Sequence, residues 1–286
     1  RAAAAIRIAE RPVIVLADGD EVSCDFVLGC GYHGWLDWCQ GATEGVPPDT
    51  RALFAELPFN DIGAARNLIR ERGSTLAAVV IEPVIVSEPS REWLQMLRVE
   101  TQRVGAALIF DEIKTAFRLA IGGAVERYNV EPKPDLVVIG KALANGFPLA
   151  VVGGRADLMS GTSRTWISST LATEGVALAA ARATLDVFVR EDVCGHLHRV
   201  GTRLLHGLHE LQRRHAHAIA GVAGIAEMCF LHFTTDELAH GTALGAAQRG
   251  VLFKRSAYNF VSLSHDEGTV DRTLEILDTV LSASST

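Results

Sequence analysis

The sequence predicts an α/β fold: a large domain on a mainly parallel sheet, then a smaller α+β C-terminal domain. Three observations predict it. The runs "AAVVIEPVIV" (77–86), "AALIFDEI" (106–113) and "DLVVIG" (135–140) are apolar and β-branched, as strands buried on both faces are. Helical patterns separate them, which implies βαβ units. After Ala150 the texture changes to long helical segments. The expected division is a large domain over 1–168, a connecting helix within 169–192 and a small domain over 193–286.

In chain order, "RAAAAIRIAERP" reads as a helix with no capping residue before it, as if the chain began inside an element. "PVIVLA" (12–17) is a first strand candidate. "GCGYHGWLDW" (29–38) sets Gly29, Gly31 and Gly34 among Tyr32, His33, Trp35 and Trp38. Glycines let a backbone approach a ligand and aromatic rings offer it a stacking face; a glycine-rich turn over core tryptophans is the alternative. "REWLQMLRVETQRVG" (91–105) brings Trp93, Leu94, Leu97 and Val104 near one helical face. Beyond Ala150, helices are expected over 169–192 and 196–218, a strand over 224–233 and a final helix from Glu267.

Composition narrows the function. Apolar residues at 48% and charged ones at 21% describe a globular chain, and a net charge of −7 argues against nucleic acid or an anionic membrane as partner. Five cysteines, an odd number with no CxxC pair, suggest neither a disulfide framework nor a zinc site. Free thiols imply a reducing, cytoplasmic setting. No apolar run reaches the roughly 18 residues of a membrane span. His196, His198, His206, His209, His215 and His217 lack a ligand motif such as HExxH, so a solvated helix face is expected and no metal.

Two charged residues raise the chemical question. Asp111 closes "ALIFD", and Lys141 follows "DLVVIG". Parallel neighbours would carry both to one edge of the sheet, where such folds bind ligands. A structural ion pair is one reading. The other is an aldehyde cofactor, pyridoxal phosphate, with the lysine as its Schiff-base amine and the carboxylate holding a ring nitrogen protonated.

The motifs "GYHGWLDW", "AAVVIEPV", "LIFDEIKTAFRLAIGGA", "PDLVVIGKALANGFPLAVVGG" and "ISSTLATEGVALAAA" occur in an order that resembles class III pyridoxal-phosphate aminotransferases. The glutamate-1-semialdehyde aminomutase-like branch is the most similar. The resemblance covers most of 1–190 and resumes over 249–275. It implies the aspartate-aminotransferase-like fold, fold type I of pyridoxal-phosphate enzymes. It also implies amino-group transfer between a small amino donor and a carbonyl acceptor, and a homodimer. Lys141 is then the Schiff-base lysine and proton shuttle, and Asp111 the partner of the pyridine nitrogen. Ile113 and Tyr32 pack on the two ring faces. Glu82 supports the Asp111 side, and Thr170 binds the phosphate of the partner subunit's cofactor. His33 lies beside the cofactor, or is a core histidine satisfied by backbone. Arg118 matches a family arginine whose default role is a salt bridge.

The resemblance also implies a Gly/Ser turn ahead of residue 1 whose amides cup the phosphate. That turn is not in this sequence, so cofactor affinity is expected to suffer. The acidic "DGDE" (18–21) and "STLATEG" depart from the family pattern as well. The rival readings are an impaired homologue that dimerises or binds a partner, and a racemase or decarboxylase on the same cofactor.

Overall fold

The computed structural model describes residues 5, 11–15, 21–34, 36–39, 41–42, 44–165 and 167–283. Most of the expected N-terminal helix, Leu16 and Ala17, most of the acidic "DGDE", and Trp35 lie outside the described residues. The chain forms two compact units: 1–84 with 89–187, and 85–88 with 188–286.

The first unit holds a two-stranded sheet of β1 (Arg11–Val15) and β2 (Glu21–Cys24), and a six-stranded sheet. The larger sheet uses β3 (Phe26–Cys30), β4 (Phe54–Glu56), β5 (Leu76–Ile81), β6 (Ala107–Asp111), β7 (Leu136–Ile139) and β8 (Val151–Gly154), in the order β4-β3-β5-β6-β7-β8. Every pairing is parallel except β7 with β8. The run expected as strand over 77–86 stops at Ile81, since Pro83 has no N–H to give to a ladder.

Successive side chains of a strand point to opposite faces. Ala78, Val80, Ile109, Leu136 and Val138 form one buried layer. Val79, Ile81, Leu108 and Phe110 point the other way and are equally inaccessible. A sheet buried on both faces explains the unbroken apolar runs. The helix Arg91–Val104 follows β5: the Ser90 side chain accepts the Trp93 N–H at 3.1 Å, and Gly105 ends it in the left-handed region. It buries Trp93, Leu94 and Leu97, and with them Arg98, whose Nη1 lies 2.8 Å from the Asp135 carboxylate.

In the second unit, β9 (Ile219–Ile225), β10 (Met228–Phe233) and β11 (Asn259–Phe260) form an antiparallel sheet. Helices Val193–Arg214, Asp236–Ala247 and Glu267–Ala283 supply Leu208, Leu211, Ala246, Leu277 and Leu281 to its core. The single strand expected over 224–233 is a hairpin. It folds back at Ala226 and Glu227, and a Cβ on Gly224, which stands at φ +97°, would run into the Met228 carbonyl oxygen. The histidines expected on a solvated face divide. His215 is buried and its Nε2 meets Asp278 at 2.6 Å, while His198 pairs with Glu227 at 2.9 Å.

Candidate active site

Because β3, β5, β6 and β7 run parallel, their carboxyl ends share one edge. That edge gathers four distant pieces of sequence: Gly31–Gly34 after β3, Glu82 after β5, Asp111 closing β6 and Lys141 after β7.

Asp111 is buried. Its Oδ2 lies 2.9 Å from His33 Nδ1, and its Oδ1 accepts the Ile113 N–H at 3.3 Å. His33 is buried too, stacked on Trp38 with ring centroids 6.2 Å apart. The partner of its Nδ1 is a carboxylate and not the backbone, and its Nε2 is buried without a hydrogen-bond partner among the described residues. Ile113 is half-buried beside Gly140: its Cγ1 stands 3.7 Å from where a Cβ on that glycine would be.

Glu82 is buried, and its Oε2 accepts the Tyr32 N–H at 2.9 Å and the Lys114 ammonium at 2.9 Å. Its bonds therefore tie the Tyr32 segment to the segment that follows Asp111, through Lys114. Gly31, at φ +99°, lets the chain turn over this carboxylate; a Cβ there would meet Glu82 Oε2 at 2.7 Å. The Tyr32 ring is exposed. Thr170 stands in an exposed turn and is not among the residues brought together at this edge.

Lys141 has φ +41°, a left-handed conformation that costs a residue with a Cβ about 1–2 kcal/mol. The turn around it is held by the Leu143 N–H on the Gly140 carbonyl at 3.0 Å and the Asn145 N–H on the Lys141 carbonyl at 3.1 Å. Lys141 lines an open depression of about 510 Å³ with Arg118, Asn145, Phe147 and Pro148. Its amine is held below the ordinary lysine range, chiefly by burial and then by the Lys114 charge; Glu82 and Asp111 oppose the shift, and Arg118 adds to it. A neutral amine is therefore easier to reach here than on a solvated lysine. Cys30, near Glu82, is no rival nucleophile: burial first, then Glu82 and Glu56, push its thiol up to about 12.

Two functional neighbours were not foreseen. Lys114 is the cation that buried Glu82 requires. Glu112 accepts from Thr115 Oγ1, from the Ala124 N–H at 2.9 Å and from the Val125 N–H at 3.0 Å, which ties down the loop that carries Arg118. The signal for Lys114 was the acid after β5: a carboxylate closing an apolar strand needs a donor, and the adjacent "DEIKT" carries one.

Residues 48–281 match the sequence profile of the class III aminotransferases. The chain belongs to the class III aminotransferase family. The glutamate-1-semialdehyde 2,1-aminomutase of Pyrobaculum islandicum is 32% identical, over 96% of this chain and 70% of its own. That of Thermomicrobium roseum is 35% identical, over 82% of this chain and 58% of its own. Among solved structures, an omega-transaminase from Sphaerobacter thermophilus superposes with a TM-score of 0.82 at 24% identity, covering all of this chain and 72% of that one. A β-phenylalanine aminotransferase from Variovorax paradoxus gives 0.79 at 26% identity, covering 91% and 65%.

Class III aminotransferases are pyridoxal-phosphate enzymes of amino-group transfer, and this chain is one of them. The residues present fit that cofactor. An amine of lowered basicity and a buried carboxylate stand at the ends of adjacent parallel strands. The depression beside the amine lies within the roughly 300–1,000 Å³ typical of small-molecule sites.

Proposed function

We propose that this class III aminotransferase acts as a glutamate-1-semialdehyde aminomutase-type enzyme, moving an amine between neighbouring carbons of a small amino aldehyde acid, with Lys141 and Asp111 as its catalytic residues. The names of the aminomutase relatives support the substrate class. The observation that carries the site is the pairing of β6 with β7, which sets Asp111 and Lys141 on one edge. A transaminase using separate donor and acceptor is the second reading, favoured by the solved transaminases with the same fold.

When bound, pyridoxal phosphate supplies an electrophilic carbonyl carbon and a ring that accepts the electron pair released as a substrate C–H bond breaks. Lys141 would hold the cofactor through its amine and would serve as the base that takes a proton from one substrate carbon and returns it to another; its lowered basicity suits that task. Asp111 would hold a proton at the ring nitrogen, and His33 fixes the orientation of that carboxylate. Ile113 and Tyr32 would flank the ring, and Glu82 fixes the Tyr32 backbone through its N–H.

Thr170 is assigned to the cofactor phosphate of a partner subunit. The adjoining helix Gly175–Arg190 supports a homodimer: it buries Ala177 and Ala181 but leaves Leu178 and Leu185, on one face, exposed. A second copy of the chain would cover that apolar stripe. The five free cysteines support a cytoplasmic setting.

The test adds pyridoxal phosphate, reduces with borohydride and maps the label. A label on Lys141, absent in Lys141→Ala, is expected; a label elsewhere refutes the site. Glutamate 1-semialdehyde is then supplied without any other amino donor. Turnover supports the mutase, and turnover only with an added donor supports the transaminase.

A further inference from the structure

The second unit carries a cavity of about 440 Å³, lined from its sheet and from helices Val193–Arg214 and Glu267–Ala283. All of its walls belong to that unit, whereas Lys141 and Asp111 belong to the first. Leu208, Leu231 and Leu277 line it as part of the buried core, and Phe260 and Val270 continue that apolar wall. Its size falls within the roughly 300–1,000 Å³ of small-molecule sites. Much of its polar lining is committed. Thr273 Oγ1 donates to the Thr269 carbonyl at 2.8 Å. Asn259 closes on the Lys254 backbone: its Oδ1 accepts the Lys254 N–H at 2.7 Å, and its Nδ2 donates to the Lys254 carbonyl at 3.1 Å. That clamp fixes the wall over 254–259. A buried water needs about two to four polar partners, and these walls offer few. A hydrocarbon chain needs none and gains dispersion contacts with the leucines.

Two lining groups stay available to a ligand. The Lys254 side chain is exposed and forms no ion pair or hydrogen bond among the described residues. His265 is half-buried, and the Ser262 N–H donates to its Nδ1 at 3.0 Å, which assigns the ring hydrogen to Nε2. No described residue accepts that hydrogen. The His265 carbonyl is bonded to His196 Nε2 at 2.8 Å, which anchors its backbone. The acids that follow His265 are already paired. Asp266 Oδ1 accepts the N–H and the hydroxyl of Thr269, both at 2.7 Å, and Glu267 lies 3.8 Å from Arg203. Apolar walls beside one cation and one N–H donor make a receptor for an amphipathic anion.

We propose that this cavity binds a small monocarboxylate with an apolar chain. The chain lies against Leu208, Leu231 and Leu277, and the carboxylate meets the Lys254 ammonium and the His265 Nε2–H. Burial of the hydrocarbon supplies the affinity. The cation and the donor select an acid over an alcohol or an amine of the same length, because a charge-assisted hydrogen bond is stronger than a neutral one and a second cation is repelled. None of these residues belongs to the strand edge that holds Lys141, so the proposal stands apart from the reading of the reactive amine.

Titration calorimetry of the whole chain with octanoate, 1-octanol and octylamine tests this. Octanoate is expected to bind with a negative heat-capacity change, the mark of buried apolar surface, and roughly 10-fold more tightly than 1-octanol. Octylamine should bind more weakly than either. Lys254→Met should remove most of the preference for the acid and leave 1-octanol unchanged. His265→Asn keeps an acceptor for the Ser262 N–H but lacks the Nε2 donor, and should lose part of that preference. Thr273→Phe sets a ring in the cavity and should abolish binding of all three probes. Lys254→Met, a change at an exposed side chain, decides the matter if Thr273→Phe fails to fold. Octanoate that does not bind, a 1-octanol affinity equal to that of octanoate in wild type, or octanoate binding untouched by a folded Thr273→Phe overturns the assignment. If octanoate gives no heat and Thr273→Phe lowers the mass of the chain in solution, the cavity is an interface between copies and the assignment falls.

Discussion

Gly31 offers a direct test of how the strand edge is assembled, because Gly34 provides its control. Both have positive φ, +99° and +109°. An alanine at Gly34 would meet nothing within 4 Å, so Gly34→Ala carries only backbone strain, about 1–3 kcal/mol. An alanine at Gly31 carries similar strain, and its Cβ would also meet Glu82 Oε2 at 2.7 Å, Cβ at 2.8 Å and Cγ at 2.9 Å. A carboxylate tip could swing aside; a Cβ moves only with its backbone, and Glu82 follows buried Ile81 in β5. Displacing Glu82 strains its bonds to the Tyr32 N–H and to Lys114, charge-assisted contacts worth about 1.5–3 kcal/mol each. Gly31→Ala should therefore cost at least about 1.5 kcal/mol more than Gly34→Ala, one such bond being lost. Urea unfolding of both variants measures the difference. The functional consequence, a displaced Tyr32, should appear as weaker pyridoxal-phosphate labelling of Lys141 in Gly31→Ala alone. Costs equal within about 0.5 kcal/mol would refute the view that the Gly31 turn is fitted to Glu82.

Further outcomes follow from the same contacts. Since Lys141 has a lowered pKa, its neutral fraction and its labelling rate should rise with pH and level off below the ordinary lysine range; a midpoint at or above that range contradicts the burial argument. By the same sign the unfolded chain binds the proton more tightly. Lys141 therefore costs the fold stability below its native pKa, and that penalty fades as pH rises toward the unfolded value. Lys114→Met should move the labelling midpoint upward, because it removes a repelling cation and leaves Glu82 uncompensated; an unchanged midpoint sinks that coupling. Arg98→Met should cost about 3–5 kcal/mol in urea, since it leaves Asp135 buried with half of its compensation; Arg155→Met removes the other half, but from a side of the pair that solvent reaches, so its cost should be smaller. Glu112→Gln has one acceptor oxygen for three donors and should lose about 1–3 kcal/mol, measured by thermal unfolding.

The elements legible in the sequence were the apolar ones. Strands β5, β6 and β7 lie inside the sheet, fully buried in β5 and β6 and half-buried at alternate positions of β7, so every position but Asp111 is apolar and the run announces itself. The helix Arg91–Val104 has a serine before it and a glycine after it. Less visible was β8, whose "VVGG" residues are half-buried or exposed; a Cβ at Gly154 would run into the Asp135 carbonyl oxygen, a tertiary fact. The β9–β10 hairpin hid because its turn, Ala226–Glu227, lacks the Asn, Asp, Gly or Pro that marks one. In the site, Lys141 and Asp111 were readable because charge at the end of an apolar strand is costly. The His33–Asp111 bond was not, since it joins segments 78 residues apart on strands that are not sheet neighbours.

The strand order also accounts for why one ammonium at this edge is reactive and another is not. Parallel strands deliver every terminal charge to the same place, so each must be compensated by what its neighbours supply. Glu82 after β5 meets Lys114 from the segment after β6, and Asp111 on β6 reaches past β5 to His33. With Lys114 held on Glu82, that acid's pull on the Lys141 proton is offset by a cation of equal charge, and around Lys141 the acids Glu82 and Asp111 oppose the cations Lys114 and Arg118. Burial is left to set the direction of its shift. Lys114 and Lys141 thus divide the work: the first spends its charge on a structural acid, and that expenditure is what allows the second to lose its proton.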